Sequence, residues 1–414
     1  MAMAGSSALI LGVIAAGAAP ASATTLACGA TITTSVTLSG NINCTSDTTN
    51  DALTIGAADI TVNLNGHKVL GPGAESDTEG IVDNPDGTGT AYNGVTIENG
   101  TISNFDTDID IEGTANSGSP PPLCSRDLTG AVVKGITTTN DTLQESYGVY
   151  GACLSGASIH NVSINDAEDG IGLIYSQAST VSSNHLQSPL YAMYDDEGTG
   201  NTWSGNVLSD VNYDGVTLEG TTAAVVTSNT ITGTGADGVY EFVSSGDAIT
   251  KNVLSDLYTG VVSEASTDDT VSSNSGSNDA WGLYTSDTDN FSVTGNHFTH
   301  NEYGIETDYP NGEVLKNNVA DHNTEVGILV YTDDETSSGY SATLDNNTGN
   351  DNRYGLFSQI PTGGSGNRAT GNTVVNCYNV SCTTGGTRAG AHLPSPPHRT
   401  PSPRPAPAPR RGVS

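Results

Sequence analysis

Acidic side chains are the groups in this sequence best suited to chemistry. The densest cluster is Tyr194-Asp195-Asp196-Glu197, and Glu219 and Glu241 follow further along the chain. Paired carboxylates hydrolyse glycosidic bonds when one donates a proton and the other acts as base or nucleophile. The candidate catalytic residues are therefore Asp195, Asp196, Glu219 and Glu241.

Aromatic residues recur beside these acids. Rings stack on the apolar faces of sugars, and carboxylates accept hydrogen bonds from sugar hydroxyls. The candidate substrate-binding residues are Tyr194, Glu197, Tyr240, Glu264, Tyr284, Glu306 and Asp308. A solvated strand face would also be rich in acids and strand-favouring tyrosines, so a purely structural interpretation stays open.

Two groups suggest metal chemistry. Asp106, Asp108 and Asp110 alternate with other residues, so a strand would place three carboxylates on one side, where calcium could relieve their repulsion. His300 and His322 lie 22 residues apart and are predicted to stack at a turn. We interpret the two histidines as exposed turn residues, not as metal ligands, and the sequence requires no cofactor.

A repeat of 22 or 23 residues positions all of these groups. Its anchor is a Gly that follows an aromatic residue or Asp and precedes an aliphatic residue, as in Tyr147-Gly148-Val149, Asp214-Gly215-Val216 and Trp281-Gly282-Leu283. A second motif, aliphatic-x-x-Asn-x-aliphatic, runs in phase and places Asn184, Asn206, Asn229, Asn252, Asn274, Asn296, Asn318, Asn347 and Asn372 in one column. Each unit can bury its aliphatic positions only against its neighbours, which predicts a solenoid of stacked strands.

The anchor fixes the predicted direction of each side chain. The residue after the Gly is aliphatic and points inward, so alternation sends the second and fourth residues outward. Asp195 and Glu241 occupy the third, inward position, where an acid is costly unless it is paired or bound to a cation. A local slip that turns both outward is the alternative.

Thr61-Val-Asn-Leu-Asn-Gly-His67, followed by Gly71-Pro-Gly73, resembles the opening coil of the NosD-like and pectate-lyase-like β-helix repeat proteins. The resemblance covers roughly residues 50 to 375 and implies a fold, while it says almost nothing about activity. We expect an all-β, single-stranded right-handed parallel β-helix of about 12–13 coils, with disulfide-tied ends and a disordered C-terminal tail.

The ends of the chain differ from the repeats. Residues 1–23 have the apolar run and the Ala21-Ser22-Ala23 ending of a signal peptide, although no Lys or Arg precedes the run. The predicted division is a signal peptide at 1–23, a cap at 24–50, the β-helix at 51–382 and a Pro/Arg-rich tail at 383–414. Six cysteines favour disulfides within the local pairs Cys28 and Cys44, Cys124 and Cys153, and Cys377 and Cys382.

The balance of charge limits the partners. The chain has a net charge of −34, and five of its twelve basic residues lie in the tail. Such acidity disfavours nucleic acid and anionic lipid, and we expect no membrane insertion and a monomer. The predicted function is a secreted or extracellular protein, in a cell-wall-associated form if the tail is a linker, that binds or processes polysaccharide. The alternative is a non-catalytic surface, adhesion or scaffold protein, and an enzymatic form would be a polysaccharide lyase or glycoside hydrolase.

Overall fold

The structure is a computed structural model that describes residues 23–73, 76–84, 87, 89–115, 124–139, 146–332 and 339–383. Almost the whole predicted signal peptide, the prolines at 120–122 and the tail from residue 384 lie outside these residues. All the regular elements of the described part are β-strands, and none of its segments is a helix long and apolar enough to cross a membrane.

The strands form three columns along a solenoid axis. Sheet I has one strand per turn. Its strands are Ala30–Ile32, Leu53–Ile55, Glu79–Asp83, Thr107–Glu112, Tyr147–Ala152, Asp169–Ile174, Tyr191–Asp196, Asp214–Glu219, Asp237–Phe242, Thr259–Glu264, Trp281–Ser286, Tyr303–Asp308, Val326–Tyr331, Tyr354–Ser358 and Val375–Tyr378.

Sheet II contains the other two columns, which the long strands Thr96–Ser103 and Val132–Thr139 join into one sheet. The first column also contains Ala23–Thr24, Val36–Leu38, Thr61–Asn63, Ser158–His160, Thr180–Ser182, Thr202–Ser204, Val225–Thr227, Ala248–Thr250, Thr270–Ser272, Ser292–Thr294, Asn311–Lys316 and Ser341–Asp345. The second also contains Ile42–Asn43, Lys68–Leu70, Ser163–Asn165, His185–Gln187, Val207–Ser209, Thr230–Thr232, Val253–Ser255, Ser275–Ser277 and His297–Phe298.

Two small pairings complete the set. Thr114–Ala115 pairs antiparallel with Cys124–Arg126, and Leu128–Thr129 pairs parallel with Leu154–Ser155. Every pairing within sheets I and II is parallel, as the prediction of a right-handed parallel β-helix requires. The solenoid has about 14 turns, slightly more than predicted, because the chain already coils within residues 30–43, in the segment predicted as a cap.

Short polar residues make the corners between strands. Asp210, Asp256, His300 and His322 have φ values of 55°, 60°, 64° and 60°, in the left-handed region where Gly, Asn and Asp are least strained. These corners recur at the same place in successive turns. They explain why the composition is rich in Gly, Asn, Asp and Ser.

The interior is one continuous hydrophobic core, mostly aliphatic. Val149, Ile171, Met193, Val216 and Val239 follow their anchor residues in successive turns and are fully buried, as predicted. A side chain on Gly238 would approach the backbone oxygen of Gly260 to 2.5 Å. Adjacent turns approach closely at most positions of the anchor column, so Gly predominates there, with Asp108 and Ala192 among the exceptions.

The predicted asparagine column forms a continuous hydrogen-bonded ladder. In Asn252, Nδ2 donates to Oδ1 of Asn274 and to the Val226 carbonyl, both at 3.0 Å. Its Oδ1 accepts from the backbone N–H of Asn229 at 2.9 Å and from Nδ2 of Asn229 at 3.0 Å. The same pattern repeats through the column, so buried amides satisfy one another along the axis.

The end of the ladder differs from the prediction. Asn367, not Asn372, accepts the hydrogen bonds from Asn347. Asn372 belongs to a second ladder that the sequence analysis missed, which comprises Asp279, Asn301, Asn323, Asn352 and Asn372. The motif search failed here because the second ladder lies at another corner, where its Asn residues are not framed by the same aliphatic positions.

All three predicted disulfides are present. Cys28 bonds to Cys44, Cys124 to Cys153, and Cys377 to Cys382. The first and third tie the two ends of the described solenoid, as expected.

Candidate functional site

The strand register of sheet I places the candidate residues in the columns that the repeat predicts. Tyr194 pairs with Thr217, and Thr217 with Tyr240, in the second column. The fourth column runs from Asp196 through Glu219 to Phe242. These columns face away from the core, while the anchor, first and third positions face into it.

A further outward column was not foreseen. The residue before the anchor also points away from the core. The strand pairing skips the anchor Gly, and the chain departs from simple alternation at that position. This column contains Trp281, Tyr303 and Tyr354, as well as Asp169, Asp214 and Asp237. The signal was present in the anchor motif itself, whose first residue is aromatic or Asp.

Asp195 lies inside the solenoid with no exposed surface. Its carboxylate accepts hydrogen bonds from Asn201 Nδ2 and Trp203 Nε1, both at 3.0 Å. Burial raises the pKa of Asp195 to about 7, against the lowering effect of these two donors. A polymer on the outer face cannot reach this carboxyl.

Glu241 is also inside and fully buried. Ser263 Oγ donates to its Oε2 at 2.5 Å, and burial, followed by the charges of Asp269 and Asp247, holds the pKa of Glu241 well above its usual range. Asp247 and Asp269 replace amides in a short ladder, since the Asp247 N–H donates to Asp269 Oδ1 at 2.6 Å. Asp195 and Glu241 therefore both point inward, and the repeat does not slip locally to turn them outward.

Asp106, Asp108 and Asp110 do not share one side of a strand. Asp106 precedes the strand Thr107–Glu112, and Asp108 occupies the buried anchor column that holds Gly80 and Gly148 in adjacent turns. Asp110 lies in the outward column of Tyr150. The alternation argument fails here because the anchor position interrupts it. The described residues contain no group of three or more His, Cys, Asp or Glu placed to hold a metal ion, so the geometry does not support the calcium hypothesis for these three residues.

The remaining outward candidates form two regions of one face. The first, which we name the open stretch, lies on the strands from Tyr191–Asp196 to Thr259–Glu264. Half of the outward side chains there are half-buried and the other half are buried. The half-buried ones are Tyr191, Asp196, Glu219, Tyr240, Phe242 and Glu264. Tyr240 stacks on Phe242 with ring centroids 6.3 Å apart and donates a hydrogen bond to Glu264 Oε2 at 3.2 Å. Asp196 and Glu219 are direct neighbours on adjacent strands.

Two other candidate substrate-binding residues, Tyr194 and Glu197, are not half-buried. Tyr194 is fully buried, and its ring lies against Gly172 of the preceding turn. Glu197 is an exposed corner residue with a φ of 54°, outside the outward columns.

The second region, which we name the Trp281 cluster, comprises Trp281, Tyr284, Tyr303, Glu306 and Asp308. Trp281 stacks on Tyr303 with ring centroids 5.3 Å apart. Trp281 Nε1 donates to Glu306 Oε2 at 2.6 Å, and the Tyr284 hydroxyl donates to Asp308 Oδ2 at 3.0 Å. Burial and the charge of Asp308 raise the pKa of Glu306 to about 9, so this carboxyl is protonated at neutral pH.

The outward columns of sheet I are strongly acidic. Their residues include no Lys or Arg. Their acidic residues are Glu79, Asp110, Glu112, Asp169, Asp196, Asp214, Glu219, Asp237, Glu264 and Asp308, together with the protonated Glu306. The face therefore attracts cationic groups and repels polyanions.

The sequence profile of the family described as "Periplasmic copper-binding protein (NosD)" matches residues 74–254, 129–298 and 235–389, which together cover most of the chain. The chain belongs to the NosD family. The overlapping matches are expected where a family is built of repeats. No curated protein matches the chain in a sequence search.

Several solved structures are similar to this NosD-family chain. The A-module of the Azotobacter vinelandii mannuronan C-5 epimerase AlgE6 is 14% identical with a TM-score of 0.52, over 81% of this chain and 91% of that one. The periplasmic alginate epimerase AlgG is 14% identical with a TM-score of 0.39, over 84% and 77% of the two chains. A mutant tailspike protein of E. coli bacteriophage HK620, in complex with a hexasaccharide, is 12% identical with a TM-score of 0.45, over 86% and 64%.

The copper in the NosD family description does not fit the described residues. They contain no group of three or more His, Cys, Asp or Glu that could hold a metal ion. His300 and His322 stack with ring centroids 5.3 Å apart, as predicted. Asp351 Oδ2 lies 3.7 Å from His322 Nε2, and both of these side chains are exposed. All six cysteines are bonded to one another as disulfides, which removes the thiolates that copper prefers.

The disulfides and the family together indicate where the protein works. Disulfides persist in oxidising compartments, and the family description is periplasmic. The NosD-family chain is therefore extracytoplasmic.

Proposed function

We propose that this NosD-family protein is secreted and binds an extracellular polysaccharide along the outer face of sheet I, at the open stretch. The observation that supports this most is the pairing of half-buried, stacked rings with adjacent carboxylates, as in Tyr240, Phe242 and Glu264. A sugar ring packs on such an aromatic surface while its hydroxyls donate to the carboxylates. A long, regular face of this kind suits a polymer better than a small molecule.

The charge of the face indicates the class of polymer. A row of carboxylates with no Lys or Arg in the same columns repels uronate polymers, so a neutral or amino-sugar glycan is the expected ligand. The fold shared with a mannuronan epimerase fits a polysaccharide partner in general. It does not extend to that enzyme's anionic substrate.

If the polymer is cleaved, hydrolysis is the chemistry that the face favours. Asp196 and Glu219 lie on adjacent strands about 4.8 Å apart, close to the separation of about 5 Å in retaining glycosidases. A lyase needs a base that removes a proton and a cationic group that neutralises the carboxylate of the sugar. The outward columns contain no Lys or Arg that could supply the cationic group.

A glycan array probed with the full chain, in low and in high salt, tests the proposal. We expect retention of neutral or amino-sugar polymers, with weaker retention by Tyr240→Ala and Phe242→Ala. Val253→Ala, which trims a side chain that is 50% exposed on sheet II, is the control and should bind like the wild type. Absence of binding to every glycan in both salt conditions would contradict the proposal and favour the scaffold or adhesion role.

Assays for new reducing ends and for unsaturated uronates, with and without calcium, separate binding from turnover. New reducing ends that disappear in Asp196→Asn and Glu219→Gln would identify a hydrolase. Binding without either product would identify a lectin-like protein.

A further inference from the structure

One aromatic residue of the open stretch lies between two acids. Phe242 pairs with Glu219 on the preceding strand and with Glu264 on the following strand, all in the fourth outward column. Neighbouring strands lie about 4.8 Å apart, so both acids are immediate neighbours of the ring. All three side chains are half-buried, so a ligand can reach a part of each. One sugar unit can therefore meet an apolar surface and a carboxylate at the same time.

Two further carboxylates border the same place. Asp196 is the neighbour of Glu219 on the strand before it. Glu197 follows at the corner, and its carboxyl group extends over the next turn, since a Cβ atom on Gly220 would lie 3.0 Å from Glu197 Oε1. Among the described residues, no ion pair includes Glu197, Glu219 or Glu264. Like charges so close together repel one another, and a bound cation relieves that repulsion.

Val243 extends the apolar part of this surface. It follows Phe242 at the corner, its side chain is 54% exposed, and its φ is 53°. A β-branched residue is strained in this left-handed region, and the equivalent residue of the preceding turn is Gly220, with a φ of 61°. An exposed, strained valine adds nothing to the core, whereas beside Phe242 it enlarges the surface on which a ligand can pack.

These groups distinguish between classes of sugar. A neutral sugar packs on the apolar surface and donates to the carboxylates, but it leaves their charges uncompensated. A uronate adds to the repulsion. A sugar with a free amine has a C–H face for the ring and an ammonium group for the carboxylates, and charge-assisted hydrogen bonds are stronger than neutral ones. An ammonium group is also attracted to the face of an aromatic ring.

We propose that the open stretch selects a polymer of amino sugars whose amines are free. Its sugar rings pack on Phe242 and Val243. Its ammonium groups bind Glu219 and Glu264, with Asp196 and Glu197 as the acids for the next unit along the face. This inference rests on the proposed function, because it names the class of glycan that the same site binds.

Isothermal titration calorimetry of the full chain with two oligomers of equal length and linkage tests the selection. One oligomer consists of glucosamine and the other of N-acetylglucosamine, so they differ in charge but share the sugar ring. We expect the wild type to bind the glucosamine oligomer about ten-fold more tightly at low salt, which is about two- to five-fold for each of two exposed ion pairs. High salt should reduce this preference by screening.

Two variants separate the carboxylates at the site from general acidity. The combined change Glu219→Gln and Glu264→Gln should abolish the preference and leave the affinity for the N-acetylated oligomer unchanged. The matched control, Asp166→Asn with Asp210→Asn, removes two charges from exposed corners at the other end of the sheet I strands, and it should keep the preference. Equal loss of preference in both double variants would overturn the proposed role of Glu219 and Glu264.

Two other variants test the apolar surface. Phe242→Ala should weaken the binding of both oligomers, because both present the same ring. Val243→Gly should also weaken both, although it should not lower the melting temperature, since Gly relieves the strained φ. Unchanged binding of both oligomers by Val243→Gly would overturn the role of Val243.

The failure of this inference and the failure of the proposed function give different results. Equal affinity of the wild type for the two oligomers, or tighter binding of the N-acetylated one, would overturn the inference and leave glycan binding intact. Binding of neither oligomer, nor of any other glycan, would contradict both. Oligolysine bound as tightly as the glucosamine oligomer would also overturn the inference, because charge alone would then explain the binding.

Discussion

Glu313 offers a sharp test of how the solenoid handles buried acids. Its Oε2 accepts hydrogen bonds from the hydroxyls of Thr285, Thr288 and Thr307, and its side chain has no exposed surface. Burial raises the pKa of Glu313 from 4.5 to about 7, against the lowering effect of the three hydroxyls. The folded protein therefore holds a proton that the unfolded chain releases at lower pH.

The sign and size of the effect follow from this difference. Below the unfolded pKa the group is protonated in both states and imposes no penalty. As pH rises towards the folded pKa, only the unfolded chain loses the proton, so the free energy of unfolding falls. The difference of about 2.5 pKa units corresponds to about 3 kcal/mol, reached above pH about 7.

Glu313→Gln keeps an oxygen for the three threonines and removes the titrating proton. Urea unfolding of the wild type and the variant between about pH 4 and pH 9 should give curves that diverge as pH rises, with the variant more stable at alkaline pH by up to about 3 kcal/mol. Other acids contribute equally to both proteins and cancel in the difference. Parallel curves would refute the reasoning, and Glu197→Gln, at an exposed corner, controls for the loss of one negative charge.

Three further changes test the architecture by thermal or urea unfolding. Asn252→Ala removes four ladder hydrogen bonds and leaves buried partners unsatisfied, so we expect a loss of about 3–5 kcal/mol, and a loss under 1 would contradict a structural ladder. Gly238→Ala forces a side chain against a backbone oxygen of the next turn and should destabilise strongly, whereas Gly40→Ala, with open space around it, should be neutral. Replacing Cys28 and Cys44 by Ser should cost about 3 kcal/mol for a loop of 16 residues, and dithiothreitol should abolish the difference from the wild type.

The fold could be predicted from the sequence because the repeat constrains it at many positions. A column that is aliphatic in every turn must face the core, and the register of Met193, Val216 and Val239 confirms this. Local pairs of cysteines identified the disulfides for a similar reason, since each pair lies within about one turn. The number of turns was less certain, because the first turns lack the anchor motif.

The candidate face was only partly predictable. Strict alternation gave the second and fourth columns correctly, but it missed the column of Trp281 and misplaced Asp108, because the chain departs from alternation at the anchor. Alternation also could not say which acids would be protonated. That property depends on burial and on hydrogen-bond partners in neighbouring turns, which a single strand's sequence does not contain.

The first asparagine ladder has one further consequence, which concerns how such a protein can change. Its steps include 22 and 23 residues, but 29 separate Asn318 from Asn347 and only 20 separate Asn347 from Asn367, and the hydrogen bonds continue through both. The number of residues between two ladder residues can therefore vary while the ladder keeps its register. A gene encoding this fold can gain or lose loop residues beside sheet I while the scaffold keeps its shape, so recognition and stability can evolve separately.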